Sequence, residues 1–175
     1  MAEWAPPEGI SPRILAVDQH AFRATGTDID ATELASRGRG TRYDRPGEPQ
    51  SFYATLHRHV AAIEIERRAR VPLSRFRLTT VRINGSLLDA FGPEGLALLG
   101  LRRADLVRRD NDTCLELADF ARAAGCSGLV VPSAMLEAHA NIVIWHGAVR
   151  RVVRVLNVRI LEIRHLPEES QSLPT

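Results

Sequence analysis

Polar and apolar residues alternate with a period of two near both ends of this chain and recur at three and four residues through its middle, which predicts strands outside and helices between. Residues 14–17 and 21–25 read as two short strands or one broken one. A polar connection over 28–39 follows, with a helical turn at 31–35. Residues 51–55 form the next strand, with Phe52 and Ala54 on one face and Ser51, Tyr53 and Thr55 on the other. The first clear helix covers 56–70 and is ended by Pro72. Strands over 76–83 and 86–90 precede Gly92-Pro93, and short helices over 93–99 and 105–109 lead to a longer one at 113–124, stopped by Gly125. Segments 128–131 and 141–145 are brief apolar strands. The β-branched stretch 151–163 is one strand, or two with a break at Asn157. No segment repeats. Strands at both ends with helices between them argue for an α+β, mixed domain, not a regularly alternating doubly wound sheet.

A chain of 175 residues with 45% hydrophobic content builds one core, not two. Residues 10–165 are therefore expected to form a single domain. Residues 1–9 and 166–175, which combine prolines with polar residues and lack periodicity, are read as flexible termini. A net charge of +2 gives no electrostatic case for direct nucleic-acid binding. All 23 basic residues are arginine, so arginine content is no phosphate signature in itself and position has to decide. Cys114 and Cys126 have neither CxxC spacing nor a His/Cys cluster around them, so they make no zinc site; no metal is expected, and both read as reduced core thiols. The start of the chain has an acidic residue and prolines where a secretory signal needs a basic end and an apolar run. No window approaches the roughly 18 continuous apolar residues of a membrane span. The expectation is a cytoplasmic protein without a membrane partner.

Chemistry concentrates in residues 38–64. A Gly/Pro-rich loop with several arginines runs through the strand of Tyr53 into the helix of Glu64. An anion-binding loop, an aromatic platform and one carboxylate are the means to grip a dinucleotide and break a glycosidic bond. At about 100° per residue, Glu64 falls between Val60 and Ala61, whereas Glu66 falls between Ala62 and Arg70, where an i+4 ion pair accounts for it. Glu64 has an ordinary explanation too, a pair with Arg68 one turn on. Against that stands its apolar setting, in which a carboxylate acts more strongly on nearby positive charge, including charge that develops only in a transition state.

Several motifs stand in a telling order: Phe22-Arg23 on the early strand, Thr41-Arg42-Tyr43 and Pro46-Gly47 in the loop, Phe52-Tyr53-Ala54, Ala61-Ala62-Ile63-Glu64 and Leu88-Asp89. Gly128-Leu129-Val130-Val131-Pro132-Ser133-Ala134 and Asn141-Ile142-Val143 complete the set. Over roughly residues 10–150 this resembles the RES-domain family, the toxin halves of bacterial toxin–antitoxin pairs, usually found beside an Xre-type antitoxin. The Arg, Glu and Ser that name the family are here Arg42, Glu64 and Ser133.

The resemblance implies a compact mixed α/β domain with an ADP-ribosyltransferase-like split β-sheet core, acting on NAD+ as substrate without a further cofactor. The nicotinamide leaves as a neutral group from a cationic one, so no general acid is needed and one carboxylate suffices. Glu64 is then the residue that stabilises the oxocarbenium-like sugar. Arg42 and Arg23 hold the pyrophosphate or its adjoining ribose, with surface arginines as the competing reading. Tyr53 stacks on nicotinamide, against strand packing as its bland role. Ser133 orients the substrate, against a helix N-cap, and Asn141 joins the same wall, against a turn. The family loop Gly-Gly-Arg-Trp-Asn is here Gly-Thr-Arg-Tyr-Asp, and the aromatic residue that often follows the first-strand Arg is here Ala24, a loss for which Tyr43 is the candidate compensation.

Three functions are carried forward. The first is a toxin that depletes NAD+ by hydrolysis or phosphorolysis; the second, a mono-ADP-ribosyltransferase that modifies a protein target with the same residues. The third is a non-catalytic regulatory or binding module built on Arg67, Arg68, Arg70, Arg75 and Arg77, a cluster with only Phe76 interleaved and so more like a solvated face. A toxin has to be held inactive in its host, so the expected partner is an antitoxin whose acidic chain end covers the cleft of Arg42 and Glu64, with DNA reached only through it. Oligomeric state is open, a homodimer being compatible with the sequence.

Overall fold

In the computed structural model, which describes residues 4–29, 41–68, 74–108 and 110–162, pairing partners set the lengths of the strands. β1 (Ile14–Thr25) runs unbroken because β3 (Arg75–Asp89) pairs with it antiparallel along its whole length, from Ile14 opposite Leu88 to Thr25 opposite Arg77. The polar Asp18-Gln19-His20 interruption that reads as a break lies in the middle of this ladder, where Arg82 grips the Asp18 carboxylate with two bonds of 2.6 Å. The two strands expected at 76–83 and 86–90 are likewise one. β3 passes through Gly85, where a side chain would press on Val152.

β2 (Phe52–Thr55) pairs with β5 (Ala140–Ile144), β5 with β4 (Gly128–Pro132), and β4 runs parallel to the last residues of β3. β1 meets β2 at Phe22 and Thr55, which closes the five strands into a barrel-like ring. β6 (Val153–Glu162) lies against the first half of β3, outside the ring. Between β4 and β5 the backbones approach so closely that a methyl group at Gly128 would collide with the Val143 carbonyl.

Helices cover this sheet on two sides. α1 (Arg58–Arg68) packs Ala61, Ala62 and Ile65 over Phe22, Ala24, Phe76 and Leu78. The larger core gathers Ile83, Leu87 and Leu88 of β3, the apolar β4 and β5, and α4 (Asp112–Ala123), which buries Cys114, Leu117, Ala118 and Ala121. α2 (Pro93–Leu98) and α3 (Arg103–Val107) are short connectors, each close to its expected place. The mixed α+β reading therefore stands.

Three details correct the reading. The stretch after Trp145 begins with a helix, α5 (His146–Val152), which buries Ala148, Val149 and Val152 and hands over directly to β6. Gly147 and the valines hid that i, i+1, i+4 face. The expected break at Asn157 is a bulge: Thr80 pairs with Asn157 but Val81 with Val155, so Leu156 is left over. Trp4, assigned to a loose end, is docked, with its indole N–H on the Leu99 carbonyl at 3.1 Å and its ring edge-on to Phe120. The expected helical turn at 31–35, the stop at Pro72 and the terminal segment 166–175 lie outside the described residues.

Candidate functional site

Glu64 projects from the face of α1 that meets the ring of strands, near the point where β4 ends and β5 begins. Its Oε1 accepts two hydrogen bonds, from Ser133 Oγ at 2.5 Å and from Asn141 Nδ2 at 2.8 Å. The polarity of the first is fixed by the turn after β4. Ser133 Oγ already accepts from the backbone N–H groups of Met135 and Leu136, each at 3.2 Å, so its one proton has to go to the carboxylate. The sequence offers Ser133 as a residue that orients the substrate or as a helix N-cap; in the structure it caps a turn, not a helix, and its hydroxyl bonds Glu64. It is fully buried and touches the site through Glu64. Asn141 is also buried; its Oδ1 has no hydrogen-bond partner among the described residues. Glu64 itself is half-buried, while Glu66, two residues on, is exposed, as the wheel requires.

In front of this carboxylate lies a cavity of about 390 Å³, within the range of small-molecule sites, roughly 300–1,000 Å³. Arg23, Arg42, Tyr43, Tyr53, Glu64 and Asn141 all line it, so the chain brings together every residue singled out for the site, with Ser133 directly behind. Phe22, Ala24 and Ile65 add apolar wall. Ala24 leaves room there that a larger side chain would fill.

The two arginines differ in how they are held. Arg23, on β1, places its guanidinium 5.2 Å from the centre of the Phe52 ring. Arg42 donates through Nη1 to the carbonyls of Leu106 at 3.3 Å and Arg108 at 2.5 Å, at the C-terminal end of α3, where the backbone is electronegative. Part of its donor capacity thus anchors the loop to α3, a role the sequence did not signal. Tyr43 is 2% exposed and belongs to the core, 6.4 Å from Tyr53 between ring centres. Burial, and next the Cys114 thiol beside it, raise its pKa well above the ordinary phenol range, so the ring is a neutral wall. Burial likewise raises the pKa of Cys114 and Cys126, both free thiols, which makes them poor nucleophiles.

Sequence reasoning missed the anchor of the loop. Asp44, 2% exposed, accepts from the Ser51 N–H at 3.0 Å, the Ser51 hydroxyl at 2.5 Å, the Thr41 hydroxyl, and Arg122 at 3.4 Å. Thr41 also bonds the Tyr53 hydroxyl. Since Thr41 gives its proton to the carboxylate, Tyr53 is the donor in that contact. The chain Tyr53–Thr41–Asp44 therefore fixes the aromatic platform. Arg122 braces the same loop, donating to the Tyr43 carbonyl at 3.1 Å and lying 4.4 Å from the centre of the Trp145 ring. The only sequence signal for this was the Thr-x-x-Asp spacing of a side-chain turn.

Comparison with known proteins adds two findings. A family model described as the RES domain matches residues 13–167. A chain in the crystal structure of the M. tuberculosis MbcT–MbcA toxin–antitoxin complex is similar in fold, with a TM-score of 0.70 at 21% identity over 85% of this chain and 87% of that one. No curated protein matches the chain. No helix among the described residues is long and apolar enough to cross a membrane.

Proposed function

Because the chain belongs to the RES-domain family, we propose that it is the toxin of a toxin–antitoxin pair and that it depletes NAD+ by cleaving the bond between nicotinamide and ribose. The observation that carries this reading is the carboxylate of Glu64, oriented by Ser133 and Asn141 at the wall of a cavity that Arg23, Arg42 and Tyr53 share. Tyr53 stacks against the pyridinium. The two guanidiniums hold the pyrophosphate or the ribose next to it. As the carbon–nitrogen bond lengthens, its electron pair leaves with nicotinamide, which departs neutral, and positive charge spreads over the anomeric carbon and ring oxygen. Glu64 stabilises that charge and accepts a hydrogen bond from a ribose hydroxyl. Water or phosphate then attacks the anomeric carbon and completes hydrolysis or phosphorolysis.

On this reading the five-strand ring is a variant of the ADP-ribosyltransferase-like split sheet, and the protein works in the cytoplasm. The partner is an Xre-type antitoxin whose acidic chain end covers the cavity, a proposal supported by the antitoxin complex in which the similar fold was solved. Identification of the products by mass spectrometry after incubating purified protein with NAD+, with and without phosphate, tests the reaction. Free nicotinamide with ADP-ribose or its phosphate ester is expected. ADP-ribose attached to protein would move the assignment to a transferase, and intact NAD+ would overturn it.

A further inference from the structure

β6 is the outer strand of the sheet. β3 lies on one side of it, and among the described residues no strand pairs with the other side. Such an edge presents a row of unpaired backbone N–H and C=O groups, a template for a further strand. This one is ten residues long, holds no proline, and carries Leu156, Val158 and Ile160 in exposed positions, Ile160 at 57%.

Arg154 and Arg159 stand among these apolar residues. Five positions apart, they would point to opposite faces of a regular strand, but the bulge at Leu156 brings them together. Arg154 lies opposite Arg82 and Arg159 opposite Leu78; Arg82 and Leu78 are four positions apart on β3, so both arginines share one face. Both are exposed, and neither has an ion-pair partner among the described residues. Arg82, beside Arg154, is already held by Asp18. On the other face, Val158 and Ile160 lie across from Thr79 and Arg77. Charges on an edge discourage the pairing of two copies. β6 has a single acid, Glu162, which Arg75 holds at 3.1 Å, so two such strands side by side would crowd their arginines with no free acid between them.

We propose that this edge docks an extended acidic segment of a partner protein as an added strand. Ladder hydrogen bonds to β6 hold its backbone, two carboxylates four positions apart meet Arg154 and Arg159, and apolar residues on either side of one of them cover Val158 and Ile160. A nucleic-acid backbone or an anionic membrane would answer the charge and leave the ladder unpaired. No residue of β6 lines the cavity of Glu64, so the inference does not depend on the NAD+ reading.

The test is fluorescence anisotropy of a labelled peptide, Thr-Val-Glu-Val-Thr-Val-Glu-Thr, titrated with the full-length chain. Expected are a dissociation constant tighter than about 300 μM and slowed amide exchange in β6 on binding. Arg154→Glu combined with Arg159→Glu, in a variant that still folds, should weaken binding at least about tenfold, and a peptide with lysine for both glutamates should bind that variant better than the parent chain. Two adjacent prolines at the centre of the peptide should abolish binding, because one of the two missing N–H groups faces β6. A constant weaker than about 300 μM, equal binding after the arginine reversal, or undiminished binding of the proline peptide would overturn the proposal. Self-association of the chain through β6, or tighter binding of an oligonucleotide or of phosphatidylserine vesicles at the same arginines, would overturn it too.

Discussion

Replacement of Ser133 by alanine probes the machinery around the acid without touching the acid. Ser133 reaches the cavity only through Glu64, and its hydroxyl proton is committed to Glu64 Oε1 at 2.5 Å because two backbone N–H groups occupy its lone pairs. The substitution therefore removes one charge-assisted hydrogen bond, worth about 1.5–3 kcal/mol, or roughly 10–150-fold in rate if the orientation it maintains is needed only in the transition state. Asn141 still donates to the same oxygen at 2.8 Å, which places the expected loss toward the lower end, about tenfold. Met135, one of the two groups that lose their acceptor, is exposed and turns to water, so stability should fall by no more than about 1 kcal/mol. The assay is nicotinamide release over a range of NAD+ concentrations, with a thermal melt as control. The loss should appear in kcat, with KM unchanged within about twofold. A folded Ser133→Ala protein with wild-type kcat, or one altered only in KM, would refute the assignment of Ser133 as the residue that positions Glu64.

Three further outcomes follow from the surrounding geometry. Asp44→Ala strands the Thr41 and Ser51 hydroxyls and the Ser51 N–H, so urea unfolding should show a loss of about 3–5 kcal/mol, while Asp44→Asn, which keeps an acceptor, should lose clearly less. Tyr53→Ala should raise KM for NAD+ about tenfold or more through lost stacking, and Tyr53→Phe, which keeps the ring and loses the hydroxyl bonded to Thr41, by less than about threefold. Burial raises the pKa of Cys114 in the folded protein, so the folded state prefers the neutral thiol; its contribution is whole below the unfolded value of about 8.5 and is lost as pH rises above it toward the folded value. Denaturation between about pH 8 and 10 should therefore show falling stability, less steeply in Cys114→Ala than in the parent chain.

Much of the site was legible because its residues sit on elements with clear periodicity. Glu64 is placed by a helical wheel and Tyr53 by a four-residue strand, and both stand where those patterns put them. Ser133 and Asn141 flank the turn between two apolar strands, which the sequence marks by Pro132 and the change in hydropathy. What stayed hidden depends on partners distant in the chain. Arg42 anchors to carbonyls more than sixty residues away, and Asp44 is braced by Arg122 on α4. No local spacing encodes either contact. The unbroken β1 belongs to the same class: its polar centre looks like a turn until β3 supplies Arg82 for Asp18. α5 was missed for the opposite reason, since its valines favour strand locally and only burial of Ala148, Val149 and Val152 against the core decides for helix.

The central claim is that the Glu64 carboxylate carries the cleavage of NAD+. Glu64→Gln keeps the shape of the side chain and removes its charge, and nicotinamide released per enzyme molecule can be compared with the parent chain at saturating NAD+. The account predicts steady release by the parent and a fall of at least about a hundredfold in a variant that still folds. Equal release by Glu64→Gln, or none by the folded parent chain freed of its partner, would contradict it.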